Sequence, residues 1–419
     1  MTKRVALITH EMSLVGGLAT MITFLQQTLR ESGRYQADLI SLATSFSDHA
    51  SLRISSPATW FRGPIIESVP WHDETFQHVG VWGSELEFQR YRPRRLLEEK
   101  LAQYDILQFV VGSPPWVCVA ENVNRPVLLW TATTTRADRA SRLRNGSSSR
   151  RVWSSLMVPL TERYEARGLR RADKVFALSN YTREAIKATA GPAKVSLAPC
   201  GVDTNLFRPA ESPTADYMLC VARFSDARKN VRLLLDAYAQ LRGRLSVVPA
   251  LYLIGDPPSA DAQQQLQNLG IADKVKLIGP KRGEELAALY RNAAFFVLSS
   301  DEEGLGIVIL EAMASGLAVV STDCGGPATA IAEGQTGLLT PIGDAHAFAN
   351  AMEKLLREPD LRERMGKEGR KVAEEQFSLE AAGKIFLDAY DEVINAGLKA
   401  NSDERSQKSV SRIPAAVQD

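Results

Sequence analysis

The sequence predicts an α/β protein with two doubly wound parallel sheets, one in each half of the chain. The first observation is alternation, because short apolar runs that suit buried strands are followed by amphipathic segments that suit helices. The second is length, since 419 residues exceed what one ordinary hydrophobic core contains. The third is a cluster of Pro and Gly at residues 199–213, which is typical of a linker. We therefore expect two domains joined near the middle of the chain.

Composition narrows the class of protein. Hydrophobic residues make up 45% and charged residues 24%, as in ordinary globular chains. The formal net charge is +1, so nucleic acid is not an expected partner. The four cysteines are scattered without a CxxC pair, which argues against a zinc site or disulfide framework and favours the cytoplasm. Neither a signal peptide nor a membrane span is predicted.

The first half contains six predicted strands and a strand-to-helix turn rich in glycine. The strands are expected at residues 5–9, 35–42, 106–111, 127–130, 174–178 and 195–198. Residues 45–95 show no clear pattern. Gly16 and Gly17 lie between the first strand and a helix, where a ligand approaches backbone amides closely. A tight turn alone also explains this pair.

A basic segment, residues 135–171, follows the fourth strand. It contains ten Arg and three acidic residues, so its net charge is 10 − 3 = +7. Apolar side chains are interleaved with the arginines. The segment fits a solvated helix face, an anionic membrane surface or an anionic acceptor, and residues 90–95 would extend the same face if they lie nearby.

The second half continues the alternation and contains a compact motif in residues 295–326. A predicted strand, loop, helix and second strand form one βαβ unit there. Glu303 is expected in the loop and Glu311 on the helix. Both would face a crevice at the carboxyl end of a parallel sheet, where such sheets bind ligands. The alternative is that both are solvated surface acids.

The stretch EGLGIVILEAMASG closely resembles the pattern of retaining glycosyltransferases of family 4, also called glycosyl transferases group 1. That pattern is a Glu, Gly-x-Gly, a second Glu eight residues after the first, and Ala-Met-Ala-x-Gly. The resemblance implies the GT-B fold: two Rossmann-like domains facing across a cleft, with a C-terminal helix that crosses back to the first domain.

The resemblance also suggests domain boundaries. The expected division is an acceptor-side domain at 1–198, a linker at 199–213, a nucleotide-sugar domain at 214–377, the returning helix at 378–397 and a disordered tail at 398–419.

The resemblance implies a role for each matching residue. Arg223 and Lys229 would contact the donor diphosphate, although one extra residue between them makes Arg228 a competing candidate. Glu303 would contact the donor sugar and Glu311 the ribose. The set of catalytic residues is then Glu303, Arg223 and Lys229. The remaining donor contacts are expected from Gly16, Gly17 and the backbone amides of Gly304, Leu305 and Gly306.

The implied reaction moves a sugar from a UDP- or GDP-sugar to a hydroxyl acceptor, in glycan, glycolipid or polysaccharide synthesis. Neither a metal nor a cofactor is expected. The enzyme would be cytoplasmic, or peripheral at the inner membrane face. An inactive nucleotide-sugar-binding scaffold and an epimerase or phosphorylase on the same fold are the alternatives.

Two positions depart from the family pattern. Thr131 or Ala132 occupies the place of a His that usually lies near the transferred sugar, and Thr329 stands where a Glu is common. His10 is a candidate substitute for the missing imidazole, and an ordinary surface His is the alternative.

Overall fold

The computed structural model describes residues 2–10, 16–45, 47–71, 74–144, 148–211 and 217–410. The strands are β1 (Lys3–Thr9), β2 (Tyr35–Leu42), β3 (Ile66–Trp71), β4 (Glu74–Val79), β5 (Ile106–Val111), β6 (Val127–Thr131), β7 (Lys174–Ala177), β8 (Val195–Leu197), β9 (Tyr217–Val221), β10 (Ala250–Ile254), β11 (Val275–Leu277), β12 (Ala293–Leu298), β13 (Val319–Thr322) and β14 (Gly337–Thr340). The helices are α1 (Gly17–Ser32), α2 (Glu87–Arg90), α3 (Arg95–Leu101), α4 (Thr135–Arg144), α5 (Ser148–Arg171), α6 (Asn180–Ala190), α7 (Val231–Arg244), α8 (Ala260–Asn268), α9 (Gly283–Arg291), α10 (Ile307–Ala314), α11 (Ala345–Arg357), α12 (Pro359–Gln376) and α13 (Leu379–Val410). Strands and helices alternate in both halves, as the sequence predicts.

The first domain is built on an eight-stranded sheet in the order β3-β4-β2-β1-β5-β6-β7-β8. All of its pairs are parallel except β3 with β4, which run antiparallel. The predicted parallel sheet is therefore confirmed, with one antiparallel strand added at its edge. Pro70 lies in β3, and proline is tolerated in an edge strand because its missing N–H faces away from the sheet.

The second domain is built on a six-stranded parallel sheet in the order β11-β10-β9-β12-β13-β14. Within this sheet the chain starts at the central strand β9 and adds β10 and β11 toward one edge. It then returns to the centre at β12 and adds β13 and β14 toward the other edge. The carboxyl ends of β9 and β12 therefore flank the point where the strand order reverses, which is where such sheets bind ligands. The loops after these two strands carry Lys229 and Glu303.

The last helix, α13, packs on the first domain. The hydroxyl of Tyr390 donates to Oε1 of Gln108 in β5 at 3.0 Å, and the ring of Phe386 lies 4.6 Å from that of Trp130 in β6. The C-terminal helix thus crosses back, as the resemblance implies. It also continues to Val410, so residues 398–410 are helical where the polar composition predicted a disordered tail. Glu, Arg, Gln and Lys are good helix formers, and an existing helix extends through them without a new nucleation step. Residues 411–419 of that predicted tail lie outside the described residues.

Two chain segments connect the domains, and they touch each other. The amide of Val202, in the segment after β8, donates to the carbonyl of Phe377 at 2.7 Å. Val202 and Ser378 form an isolated parallel bridge at the same place. The outward and returning connections therefore cross between the domains side by side.

Candidate active site

Glu303 lies in the loop between β12 and α10, with its carboxylate held by two donors. Nζ of Lys229 lies 2.6 Å from Oε1, and the Ser300 hydroxyl donates to the same oxygen at 2.7 Å. The side chains of Lys229 and Glu303 are only 15% and 10% exposed. Shielding from water strengthens the Coulomb attraction between the two charges, so each partner fixes the position of the other.

Lys229 is placed by a short turn that follows β9. Asn230 adopts the left-handed conformation at φ 40° and caps α7 by accepting from the amide of Leu233 at 3.2 Å. Its amide group also donates to Asp301 at 2.8 Å. The Ser299 hydroxyl donates to the Lys229 carbonyl at 3.1 Å. The turn after β9 is thus bonded to the loop after β12, which brings Lys229 to Glu303.

Arg228 and Arg223 take different places. The guanidinium of Arg228 donates to Asp226 through Nε and Nη2, with the shorter distance 2.7 Å, and this hydrogen bond raises the pKa of Arg228. Arg228 is therefore bonded to Asp226, whereas Lys229 holds the Glu303 carboxylate. Arg223 is more exposed, and its Nη2 atom is 3.5 Å from Asp226. A Cβ built on Gly16 would lie 3.8 Å from Nη1 of Arg223, so this arginine faces the first domain.

Two helix N-termini lie beside these cations. Gly306 precedes α10 with φ 85°, and Gly16 precedes α1 with φ 118°. Among the described residues, no side chain caps either helix. The first-turn amides of a helix have no intrahelical partner and carry partial positive charge, so an anion is favoured at both ends.

The three residues after Glu303 have different environments. A Cβ on Gly304 would lie 3.4 Å from both the Ala132 carbonyl and Cδ2 of Leu178, so the loop touches the first domain. Leu305 is buried in the core at 1% exposure, and only its backbone is a candidate for ligand contact. Gly306 adopts a backbone conformation that favours glycine.

Glu311 projects from α10 and is bonded to Tyr290 of α9. The Tyr290 hydroxyl donates to Oε2 of Glu311 at 2.8 Å. Burial raises the pKa of Glu311 to about 7, and the hydrogen bond from Tyr290 lowers it in part. The structure thus places Glu303 in the loop and Glu311 on the helix, as predicted.

The first domain contributes the opposite wall. Thr131 is buried, and its hydroxyl donates to backbone carbonyls, the nearer being that of Thr133 at 3.0 Å. It is therefore a structural residue, and the neighbouring Ala132 is the one that meets the Glu303 loop. His10 stacks on Trp116 with ring centroids 4.9 Å apart and lies against Gly112.

Several contacts across the cleft were not expected from the sequence. The amide of Asn180 donates to the Thr329 hydroxyl at 3.0 Å, and the ring of Tyr181 would lie 2.9 Å from a Cβ on Gly325. Thr329, which departs from the family pattern, thus bonds to the first domain. Gly325-Gly326 was visible as a glycine pair after a predicted strand, but Tyr290 had no sequence signal because it lies within an ordinary amphipathic helix.

The cysteines form no disulfide. All four thiols are free, and burial raises the pKa of each, so they stay protonated at neutral pH. In the part of the chain that the structure describes, no three His, Cys, Asp or Glu side chains form a group that could hold a metal ion.

Two family models together match most of the chain. Residues 15–206 match the model for Glycosyltransferase Family 4, and residues 202–372 match that for Glycosyl transferases group 1. The chain belongs to the group 1 glycosyltransferases. The two matches overlap at residues 202–206, between β8 and β9, and together they include both loops of the candidate site.

Curated relatives are 30–34% identical to this chain over the stretches that align. The lipopolysaccharide core biosynthesis glycosyltransferase LpsE of Rhizobium meliloti is 34% identical over 180 residues, covering 43% of this chain and 50% of its own. A GDP-mannose-dependent alpha-(1-6)-phosphatidylinositol monomannoside mannosyltransferase of Mycolicibacterium smegmatis is 32% identical over 255 residues. These residues cover 55% of this chain and 65% of that relative. The D-inositol 3-phosphate glycosyltransferase of Gordonia bronchialis is 30% identical over 232 residues, which cover 51% of this chain and 50% of that relative. The chain thus spans between half and two thirds of these relatives' lengths.

Solved structures share the fold over nearly the whole chain. The sucrose-phosphate synthase of Thermosynechococcus elongatus superposes with a TM-score of 0.70 at 21% identity, covering 94% of this chain and all of that one. Anabaena HepE, crystallised with UDP and glucose, superposes with a TM-score of 0.66 at 17% identity, covering 93% and 100%. The two-domain GT-B architecture is therefore shown.

Proposed function

We propose that this protein is a retaining glycosyltransferase that moves a sugar from a nucleotide diphosphate sugar to a hydroxyl acceptor. The observation that supports it best is the shielded Lys229–Glu303 pair at the point where the strand order of the second sheet reverses. The uncapped helix α10 begins at Ile307, four residues beyond Glu303, and Arg223 faces the uncapped end of α1. HepE binds UDP and glucose, and the M. smegmatis relative is GDP-mannose-dependent.

In this proposal, positive groups stabilise the leaving diphosphate. The bond between the anomeric carbon and the phosphate oxygen breaks while the acceptor oxygen bonds to that carbon on the same face. The acceptor proton passes to the leaving phosphate. Lys229, Arg223 and the amides at the two helix ends face the oxygens that gain charge, a role that some transferases give to a metal. The reaction then needs no cofactor.

The carboxylates position the donor in this proposal. Glu303 accepts hydrogen bonds from the sugar hydroxyls, and its pairing with Lys229 connects the sugar site to the phosphate site. Glu311 accepts from the ribose hydroxyls in its ionised form. A hydrolytic pair of acid and nucleophile is disfavoured, because the Glu303 carboxylate is paired with Lys229 and is not a free nucleophile.

The test is a donor screen in two stages. UDP and GDP are first added in a thermal-shift assay, and the matching nucleotide sugars are then incubated with candidate acceptors and the products identified by mass spectrometry and NMR. We expect stabilisation by one nucleotide, transfer with the donor's anomeric configuration retained, and unchanged turnover in EDTA. Binding without transfer would favour the inactive scaffold, and an inverted product would contradict the mechanism.

We also propose that the first domain docks peripherally on an anionic membrane, as expected if the acceptor is a glycolipid. Residues 49–65 contain two Arg and no acidic residue, and they expose the side chains of Ile54, Trp60 and Phe61, the last at 98%. Exposed Trp82 adjoins them, since Leu52 forms a bridge with it. Aromatic side chains beside arginines suit the headgroup region of a bilayer.

The basic segment has a smaller part in this proposal than its sequence suggested. Four of its arginines are engaged within the domain. These contacts are Arg136 with Glu162, Arg139 with Glu87, Arg167 with Glu121, and Arg171 with the carbonyls of Val123 and Arg125. The rings of Tyr91 and Tyr164 lie 5.6 Å apart, so the basic segment lies beside residues 90–95.

Replacing Trp60 and Phe61 together by Ser is expected to reduce vesicle binding several-fold. Serine removes the apolar surface that would enter the headgroup region while leaving the arginines in place. The measurement is flotation with phosphatidylcholine vesicles, with and without phosphatidylglycerol. Val247→Ser is the control, since Val247 is 83% exposed but lies on the second domain. Equal flotation of the double variant and the wild-type protein would contradict the proposal.

A further inference from the structure

We propose that Tyr290 is a positioning residue that holds the Glu311 carboxylate for the donor ribose; this inference rests on the proposed function of Glu311. Tyr290 is fully buried in α9, 21 residues away from Glu311 in sequence. Its hydroxyl lies 2.8 Å from Oε2 of Glu311 and 3.3 Å from the carbonyl of Val308. The shorter contact shows which acceptor takes the single proton of the hydroxyl.

The tyrosine ring is itself fixed by packing. The ring of Phe207 meets it edge-on and that of Phe296 at a tilt, each with centroids 5.6 Å apart. A hydroxyl on a fixed ring is a donor with a fixed position, so it selects one orientation of the flexible Glu311 side chain. Oε2 is occupied by this bond, which leaves Oε1 to accept from the ribose. The entropic cost of ordering the carboxylate is therefore met when the protein folds, and donor binding does not have to overcome it again.

The groups that face Glu311 make this single bond important. Tyr290 faces it from α9, and the Cys200 thiol faces it from the segment after β8. Arg370 of α12 is also near α10, but its guanidinium donates to the carbonyl of Ala314. Among the described residues, no cation pairs with Glu311. The Tyr290 hydroxyl is thus the one donor bonded to the carboxylate there.

A consequence for pH dependence follows from the geometry. Protonation of Glu311 removes an acceptor site for the ribose, so the KM for the donor rises as the pH falls through the pKa of about 7. Because the Tyr290 bond favours the ionised form, losing it moves the acidic limb of kcat/KM to higher pH. A purely structural tyrosine would not move that limb.

The experiment compares Tyr290→Phe with Tyr238→Phe. Tyr238 is a matched control, since it is also fully buried in the second domain and donates to the Pro249 carbonyl at 2.9 Å. With the donor found by the screen, we expect Tyr290→Phe to raise the donor KM about tenfold at pH 7 with kcat within about twofold. Its acidic limb moves up by as much as about one pH unit. Tyr238→Phe is expected to leave all three values unchanged.

Glu311→Ala, alone and combined with Tyr290→Phe, distinguishes positioning from general packing. If Tyr290 acts through the carboxylate, its replacement adds no further change in KM once Glu311 is gone. Equal effects of Tyr290→Phe in both backgrounds, or an unchanged KM and pH profile in the single variant, would overturn the inference. An unchanged donor KM in Glu311→Ala itself would instead show that the proposed ribose contact is wrong.

Discussion

Lys229→Ala is expected to reduce turnover by about 10²–10³-fold while the protein remains folded. The lysine is the cation that lies against Glu303 with its ammonium 2.6 Å away, and in the proposed reaction it also faces the leaving phosphate. Its removal takes away charge stabilisation that is needed most in the transition state. The loss should therefore appear in kcat as well as in kcat/KM.

The variant also leaves Glu303 with the Ser300 hydroxyl as its remaining donor at Oε1. We expect Glu303→Ala to lose turnover to a similar degree, and the double variant to be little worse than either single one, because the two side chains act as a unit. Turnover of the single variants and near-ultraviolet circular dichroism are the measurements. Unchanged turnover in both single variants would contradict the assignment.

Lys281→Ala is the control for general loss of a lysine. Lys281 also forms an ion pair in the second domain, with Glu285 at 3.2 Å, but Glu285 is 73% exposed and lies one helical turn along the chain. Such surface pairs contribute little to stability, about 0–1 kcal/mol. Its replacement should therefore leave both turnover and stability close to those of the wild-type protein.

Gly326→Ala is expected to lower turnover by about 100-fold through a shift of the Glu303 loop. A Cβ at this position would lie 2.4 Å from the Glu303 carbonyl oxygen and 2.7 Å from the carbonyl carbon of Gly304. Both neighbours are backbone atoms, so the loop itself must move to relieve the clash. The backbone of Gly326 is right-handed at φ −61°, which alanine adopts readily, so close approach and not conformation is what requires glycine here.

Gly243→Ala provides the matched control. Gly243 lies in α7, and a Cβ there would meet nothing within 4 Å. The change should leave turnover unaffected and stabilise the helix by roughly 0.5–1 kcal/mol. The measurements are steady-state turnover and the thermal midpoint. Wild-type activity in Gly326→Ala would show that the loop tolerates the displacement and that its position is not critical.

The sequence predicted the strongly periodic elements well, because buried strands and amphipathic helices have distinct patterns. The strand β12, AAFFVL, is buried along its whole length and is visible as an apolar run. In contrast, β3 and β4 were missed: the edge strand β3 contains a proline, and both β3 and the neighbouring β4 mix polar and apolar residues. An edge strand is only partly buried, so it has no continuous apolar run to reveal it.

The sequence identified which residues form the candidate site, but it did not predict how those residues contact one another. The motif identified Glu303 and Glu311. The spacing allowed either Lys229 or Arg228 to be the residue that contacts the donor diphosphate. That choice depends on Asp226, which engages Arg228, and on Asn230, which bonds to the opposite loop. The bond from Asn230 to Asp301 joins two loops that are 71 residues apart in the sequence, so no local pattern encodes it.

The paired crossing of the chain between the domains limits how they can move. A single flexible linker would let one domain swivel freely, but two strands bonded through Val202, Phe377 and Ser378 resist twisting about their own direction. We expect the remaining motion to be rotation about an axis at that crossing, which would open and close the cleft. The loops carrying Gly16 and Arg223 would then separate and return along one path, and a donor would meet the same residues at each closure.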